Sequence, residues 1–138
     1  MTETLSRKKF TELKERTDQI ADTELDDFWA TLEPTTIETM IGEWRGGEFV
    51  TGHRMNGGLA KAKWFGKTFV SEFDVKPLCE ASLWLEEFRG EVIATMVYDG
   101  QPIHDHLKVI DSNAVMGIMN GKKVLDDGRY FYFYLERV

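Results

Sequence analysis

Three ionisable residues, His53, Lys67 and Asp105, have the types and settings that proton-transfer chemistry requires. His53 lies in the polar, glycine-rich stretch TGHRMNGG, Lys67 in WFGKTF and Asp105 in IHDHLKV. A histidine exchanges protons near neutral pH, and a carboxylate can orient it or act as a base. A lysine can stabilise negative charge that develops during a reaction. The set predicts acid/base chemistry on a small metabolite, such as isomerisation, cyclisation, dehydration or hydrolysis.

Asp105 is distinguished by the face of the strand on which we expect it. The turn YDGQP precedes it, with Asp-Gly and Pro as turn residues. Residues two apart on a strand share a face, so Asp105 points the same way as Leu107 and Val109. That face is apolar and therefore inward, whereas His104 and His106 point outward. An inward carboxylate needs a partner, and Asp105 can orient His53 or Lys67, or act as a base.

Each of these interpretations has an alternative. Asp105 can instead belong to a structural salt bridge, with Arg54 or Arg129 as the partner. His104 and His106 match a His-x-His metal half-site, but the sequence specifies no third ligand. We therefore predict no metal and interpret the two histidines as solvated.

Aromatic and apolar residues suited to lining a cavity recur along the chain. Trp44 lies in GEWRG, where it supplies a flat wall or closes the end of a barrel. The other residues that we expect at the walls are Trp64, Phe69, Tyr98, Met119, Phe131 and Phe133. They predict a small hydrophobic or aromatic molecule as the ligand. In YFYFYLERV both faces are aromatic, so one row lines the interior and the other meets the N-terminal helices or a second subunit, as in a homodimer.

The elements that would position these residues differ between the two parts of the chain. Residues 1–40 are expected to form a helical segment, because apolar residues recur at helical spacing at Leu25, Phe28, Trp29 and Leu32. Thr23 is the expected N-cap of this helix, and Pro34 ends it. Thr35 or Thr36 is expected to cap one more turn through Met40.

Residues 41–138 are predicted to form an antiparallel β-barrel on which the helical segment packs. Seven β-rich stretches occur there: EWRGGEFV, KTFVSEFDV, ASLWLEEF, EVIATMVY, IHDHLKVI, AVMGIMN and RYFYFYLERV. A barrel of about eight strands has room for packed side chains or one small ligand. The alternative is a cone-shaped α+β fold with a curved sheet.

Composition limits the partners and the location. The 138 residues suit one domain with a real core, since 42% are hydrophobic. A formal net charge of -7 disfavours nucleic acid as a partner. No apolar run approaches the roughly 20 residues of a membrane span. The charged start MTETLSRKKF does not resemble a signal peptide, so we expect a soluble, cytoplasmic protein.

From Thr35 to Val138 the chain resembles a bacterial family of uncharacterised proteins named after a Gly-x-Trp-x-Gly motif. The segments that carry the resemblance are GEWRG, TGH, WFGK, MVYDGQPIHDHLK, GIMNGK and YFYFYLER, in this order. The family supplies no settled activity. Its pattern matches this chain at His53, at Trp64 to Lys67, and at Tyr98, Asp99, Pro102, Ile103 and Asp105. The resemblance therefore favours Asp105 over the flanking histidines as a site residue.

The Gly-x-Trp-x-Gly start is also similar to nitrobindins and, more distantly, to lipocalins and fatty-acid-binding proteins. These are barrels that hold haem or lipophilic molecules, so the similarity implies a calycin-like barrel with an internal cavity. It also makes haem a cofactor to consider, with His53 as the ligand. The chain departs from the nitrobindin pattern at Glu48, where those proteins have a third glycine, and in the absence of histidine from RYFYFYLERV.

Overall fold

The computed structural model describes residues 4–58, 66–76 and 81–138. The helices fully contained in these ranges are α1 (Leu5–Glu15), α2 (Asp22–Ala30) and α3 (Ile37–Met40). The strands within the same ranges are β1 (Glu33–Pro34), β2 (Gly42–Glu48), β3 (Gly66–Ser71), β4 (Asp74–Lys76), β5 (Ala81–Phe88), β6 (Glu91–Tyr98), β7 (His104–Asp111), β8 (Ala114–Asn120) and β9 (Phe131–Arg137).

Strands β2 to β9 form a closed antiparallel barrel. The hydrogen-bonded order is β7-β6-β5-β4-β3-β2-β9-β8, and pairing of β7 with β8 closes the cylinder. The two-residue strand β1 adds to β7 from outside this order. The prediction of a mainly β fold with N-terminal helices is confirmed, and the closed sheet is the barrel rather than the open cone-shaped alternative.

The helices begin where local chemistry satisfies their first backbone N–H groups. Thr4 caps α1 by accepting a hydrogen bond from the Arg7 N–H at 3.1 Å, and Thr36 caps α3 in the same way. The prediction that Thr23 caps α2 is wrong, because the helix starts at Asp22, two residues earlier than this cap implies, and Ala21 is the N-cap residue. In the part of the chain that the structure describes, no helix is long and apolar enough to cross a membrane.

The stretch KTFVSEFDV, predicted as one strand, is a hairpin. Strand β3 ends at Ser71, the chain turns at Glu72 and Phe73, and β4 begins at Asp74, which pairs with Ser71. The turn contains neither glycine nor proline, so the sequence gives no strong signal for it. This hairpin is why the barrel has eight strands where seven stretches were expected.

Alternation along β9 divides the apolar residues into an interior core and an outer core. Phe131, Phe133 and Leu135 point into the barrel and pack in the interior cluster. Tyr132 and Tyr134 point outward and pack with the helices, with the Tyr134 ring 5.1 Å from that of Phe10. The outer row therefore meets the N-terminal helices, which is one of the two alternatives that we expected for it. Because the helices cover this surface, it does not support a homodimer, which stays a prediction.

The barrel wall contains a gap between β6 and β7 that an earlier segment fills. These strands pair only over Thr95 to Val97, although β6 pairs with β5 along its full length. Thr35, which is buried, lies in the gap. Its carbonyl accepts from the Ala94 N–H at 3.3 Å, and its hydroxyl donates to the Leu107 carbonyl at 2.6 Å. Backbone groups that would otherwise lack partners are thus satisfied.

Candidate functional site

A lysine, a tyrosine and an aspartate meet inside the barrel. Lys67 comes from β3, Tyr98 from the end of β6, and Asp105 from the start of β7. Asp105 points inward, as the two-residue period predicted, and is 0% exposed, while Lys67 is 3% exposed. We refer to Lys67, Tyr98 and Asp105 as the interior triad.

The interior triad is joined by direct hydrogen bonds. The Lys67 Nζ donates to Asp105 Oδ2 at 2.9 Å and to the Tyr98 hydroxyl at 3.1 Å. The Tyr98 hydroxyl donates to the same Asp105 oxygen at 3.3 Å. The Met96 sulfur lies 3.7 Å from the Lys67 Nζ. One carboxylate oxygen thus receives both donors of the triad.

Burial works against both charges of the ion pair. Desolvation lowers the pKa of the Lys67 ammonium, and the attraction of Asp105 opposes this shift only in part. Desolvation also raises the pKa of the Asp105 carboxyl, against the opposing effect of Lys67. Both shifts favour transfer of a proton from the amine to the carboxylate. The site therefore brings the charged pair and the neutral amine–carboxylic acid pair closer in free energy.

The second oxygen of Asp105 is engaged by none of the described residues. Oδ1 is buried, and within residues 4–58, 66–76 and 81–138 it has no hydrogen-bond partner. A buried acceptor without a donor destabilises a protein by about 1–3 kcal/mol. Such a group is uncommon and calls for an explanation, for instance a bound molecule.

The expected wall residues surround the triad. Trp44, Phe69, Met119, Phe131 and Phe133 are all buried in the interior cluster. The faces of Tyr98 and Phe133 each lie 5.3 Å from the Lys67 Nζ, within the range of a cation–π contact. Trp64, the remaining predicted wall residue, lies outside the described residues.

Trp44 is held by contacts with α3 and with β9. Its indole N–H donates to the Met40 carbonyl at 2.9 Å, and the Arg137 guanidinium lies 4.1 Å from its ring centroid. Arg137 in turn donates to the carbonyls of Thr39 and Ile41. These contacts fix the Trp44 ring in the interior cluster, and closure of a barrel end by this ring stays a prediction.

His53 is buried but has other neighbours than the triad. Its Nδ1 accepts from the Met55 N–H at 3.0 Å, and its ring meets the edge of Phe131 at 5.4 Å. Desolvation lowers its pKa, so the neutral form is favoured. Within the described ranges no hydrogen bond joins His53 to Asp105, whose donors are Lys67 and Tyr98. The expected orientation of His53 by Asp105 is therefore replaced by a lysine–aspartate pair.

The tautomer of His53 does not fit haem ligation. Because Nδ1 accepts a hydrogen bond, the proton of the neutral ring is on Nε2. Nε2 is the other ring nitrogen and is buried, close to the backbone of Arg129 and Val124. With a proton on Nε2 and its lone pair on Nδ1 engaged by Met55, the ring offers no free lone pair to iron. We derive no chemistry through haem.

The outward residues of β7 are covered rather than solvated. His106 is 3% exposed and stacks on Phe88 at 3.9 Å between ring centroids. Its ring nitrogens face the Thr95 hydroxyl and the Asn120 amide, at 3.0 and 3.1 Å. The prediction of a solvated histidine pair is therefore wrong for His106. With both its nitrogens engaged, His106 is not half of a metal site with His104.

The alternative partners expected for Asp105 are engaged elsewhere. Arg129 makes a paired contact with Asp22, and Arg54 donates to main-chain carbonyls including those of Val124 and Leu125. The ion pair of Asp105 is with Lys67 instead. Sequence reasoning placed both residues at the site and named Lys67 as one of two residues that Asp105 can orient. It did not decide between Lys67 and His53, because three strands separate β3 from β7 in the sheet order.

Fold and site together define the class: a closed antiparallel barrel with N-terminal helices and an ion pair in its interior. Residues 27–82 match the model of the GXWXG protein family, and residues 79–137 match a domain of unknown function, DUF4334. The resemblance to the Gly-x-Trp-x-Gly family is confirmed. Tyr98 and Asp105 lie in the second matched segment, whereas Lys67 lies in the first.

A solved structure with the same fold comes from Thermomonospora curvata. The chain is similar to this crystal structure with a TM-score of 0.85 and 29% sequence identity. The similarity covers 98% of this chain and 99% of that chain. Comparison with curated proteins gives no match.

Proposed function

We propose that the protein is a cytoplasmic, calycin-like barrel that binds a small hydrophobic or aromatic molecule in its interior. The polar end of the ligand donates a hydrogen bond to Asp105, and its apolar body lies among the interior aromatic residues. The observation that carries this proposal is the buried Oδ1 of Asp105, for which the described part of the chain provides no donor.

The polarity of the interior supports a ligand with few polar groups. The carboxylate of Asp105 lies among apolar side chains that include Met119, Phe131 and Phe133. Binding sites for small molecules are mostly apolar, with a small number of polar groups that fix orientation. A hydroxyl or N–H on the ligand would satisfy Oδ1 and remove the free-energy penalty of leaving it bare.

The first test is the native mass of the purified protein, followed by extraction and identification of any molecule that it carries. The same measurement on Asp105→Asn tests the assigned contact, because this variant keeps the shape of the side chain and removes its charge. A hydrogen bond to a charged group contributes about 1.5–3 kcal/mol. We expect the variant to bind the recovered ligand at least about tenfold more weakly.

Asp111→Asn is the matched control for this experiment. Asp111 lies on the same strand, but its carboxylate pairs with Arg7 outside the barrel, at 2.6 Å. We expect it to keep wild-type affinity. A wild-type protein that carries no molecule and takes up no hydrophobic probe, such as 1-anilinonaphthalene-8-sulfonate, contradicts the proposal.

A second candidate is an enzyme that uses the same interior for isomerisation, cyclisation, dehydration or hydrolysis. It is favoured by the opposite pKa shifts of Lys67 and Asp105, since burial lowers the pKa of the ammonium and raises that of the carboxyl, which favours proton exchange at this site. In this candidate Asp105 exchanges protons with the substrate and Lys67 stabilises developing negative charge. In this candidate His53 is a wall residue that packs against Phe131.

The enzyme candidate is tested by incubating wild type and Asp105→Asn with a bacterial metabolite extract and comparing the two by mass spectrometry. A metabolite consumed only by the wild type supports catalysis. Equal profiles for the two proteins, at enzyme concentrations that bind the ligand fully, count against it.

A further inference from the structure

We propose that the ligand carries an aldehyde or ketone and that Lys67 forms a Schiff base with it inside the barrel. This inference rests on the proposed function, since it requires a ligand in the interior. It goes further by naming the chemical class of the ligand and the atom that binds it.

The geometry supplies a nucleophile and an acid in direct contact. The Lys67 Nζ is 2.9 Å from Asp105 Oδ2 and 3.1 Å from the Tyr98 hydroxyl. When the proton passes from Nζ to Oδ2, the amine becomes a nucleophile and the carboxyl becomes a general acid beside it. Burial favours this exchange, because it removes two charges from a desolvated site.

The reaction is a condensation without a change in oxidation state. Nζ attacks the carbonyl carbon, a C–N bond forms, and the carbonyl oxygen takes a proton from the Tyr98 hydroxyl or the Asp105 carboxyl. The nitrogen then loses a proton to the vacated oxygen, which gives a neutral carbinolamine. Protonation of its hydroxyl by Asp105 breaks the C–O bond and releases water. The net balance is amine plus carbonyl to protonated imine plus water, with the proton supplied by Asp105.

The product fits the site better than a neutral adduct would. A protonated imine on Lys67 keeps its positive charge next to the Asp105 carboxylate, which becomes its counter-ion. The faces of Tyr98 and Phe133, each 5.3 Å from Nζ, also favour a cation at this position. Asp105 Oδ1 accepts no hydrogen bond from the described residues and can accept one from the water that is released.

Lys108 is a second buried lysine, but its carboxylate partner is partly exposed, so it provides an internal comparison. It lies on the outer side of the wall, where its Nζ donates to the Trp29 carbonyl at 3.0 Å and to Glu91 at 2.6 Å. The side chain of Glu91 is 40% exposed, and helix α2 covers Lys108. We therefore expect Lys108 to remain unmodified under conditions that trap an imine on Lys67.

The test uses the full chain at about pH 7, where exposed lysines are almost fully protonated. Benzaldehyde, 2-naphthaldehyde and decanal are each added at equimolar concentration with sodium cyanoborohydride, which reduces an imine to a stable amine. Intact mass gives the number of adducts, and peptide mapping gives their positions. Among the lysine side chains we expect one adduct, on Lys67, formed at least about tenfold faster than on any other lysine.

Variants separate the acid from the nucleophile. Lys67→Arg is expected to lose this adduct while it keeps its fold, as judged by circular dichroism. Asp105→Asn and Tyr98→Phe are each expected to lower the rate of adduct formation by at least about tenfold. This threshold is conservative, because a general acid usually contributes more than this to a rate. Asp111→Asn, on the same strand as Asp105, is expected to react at the wild-type rate.

The corresponding alcohols distinguish failure of this inference from failure of the proposed function. Benzyl alcohol, 2-naphthalenemethanol and decanol have the same apolar bodies but cannot form an imine. If an alcohol binds, measured by tryptophan fluorescence, and no aldehyde modifies Lys67, the Schiff base is refuted and the binding proposal stands. If no alcohol or aldehyde binds and the protein carries no molecule of its own, both proposals are refuted.

Discussion

At the scale of single residues, the interior triad places opposite charges where water does not reach them. Lys67 and Asp105 each pair with the other, so neither charge is left alone in the apolar interior. Such a pair adds little stability compared with apolar residues of the same volume, but loss of one partner is severe.

Double substitution of the pair provides a test of this account. We expect Lys67→Met to destabilise the protein by about 3–5 kcal/mol, because it leaves the Asp105 carboxylate buried and uncompensated. The double variant Lys67→Met with Asp105→Leu is expected to recover most of this loss. Urea unfolding measures both, and additive effects of the two substitutions contradict the prediction.

His106 is expected to make stability depend on pH. Burial lowers its pKa to about 4, with His104 and Arg89 adding to the shift, whereas an unfolded chain has a histidine pKa near 6.5. Between these values the unfolded state binds the proton and the folded state does not. The histidine contribution therefore lowers the free energy of unfolding as the pH falls from about 6.5 to about 4.

The measurement is the urea midpoint at several pH values across this window. His106→Gln is expected to lack this part of the pH dependence, whatever its stability at neutral pH. His104→Gln lies two residues away on the same strand, where its side chain is 40% exposed, and serves as the control. We expect it to keep most of the wild-type dependence. Parallel pH curves for wild type and His106→Gln exclude His106 as the cause.

At the scale of elements, neighbouring strands fit because small residues leave room for aromatic rings. The Phe133 ring of β9 lies over Gly117 of β8, where a Cβ atom would come within 2.2 Å of the ring. The glycine is thus required by the close approach of an interior side chain. Its place in GIMNGK is readable from sequence, but the ring that covers it depends on the register of two strands.

Gly117→Ala is expected to destabilise the protein by about 1–3 kcal/mol, because the Phe133 ring must move within a packed interior. Gly100→Ala is the control, since nothing lies within 4 Å of its Cβ position. We expect the control to change the free energy of unfolding by less than about 0.5 kcal/mol. Thermal or urea unfolding measures the difference, and equal effects of the two substitutions would be inconsistent with the overlap at Phe133.

The periodicity of apolar residues in the sequence predicted which side chains of the helices and strands point inward. The two-residue period placed Asp105 inside, and the alternation of YFYFYLERV separated interior from outer rings. The burial of His106 was not predictable in this way, because the ring that covers it comes from Phe88 at the end of another strand. The turn at Phe73 was missed since no residue there is required by turn geometry.

At the scale of the whole molecule, the barrel wall separates two apolar cores. The interior core holds the triad, while the outer core joins the helices to the barrel through residues such as Phe10, Phe49 and Tyr134. Polar contacts reinforce the outer junction, for example Arg7 of α1 with Asp111 of β7. The sequence predicted that the helices pack on the barrel. Which helix residue pairs with which strand residue, as Arg7 does with Asp111, is seen only in the folded structure.

Separate cores predict separate effects of mutation. Phe10→Ala is expected to destabilise the protein by about 3–5 kcal/mol, because it opens a cavity under α1. Leu5→Ala, on the same helix but 84% exposed, is expected to change stability by less than about 0.5 kcal/mol. At temperatures where Phe10→Ala is folded, we expect it to react with aldehydes at Lys67 like the wild type. Loss of that reaction in the folded variant contradicts the separation of the cores.

The gap between β6 and β7 has a consequence for local opening of the barrel. The amide of Ala94 is held by the carbonyl of Thr35, which lies 59 residues earlier in the chain. Protection of this single amide against hydrogen exchange therefore reports whether the segment after α2 is docked. If that segment detaches before the strands separate, Ala94 exchanges faster than its neighbours in β6. The barrel then opens first between β6 and β7, where the docked segment around Thr35 normally closes the wall.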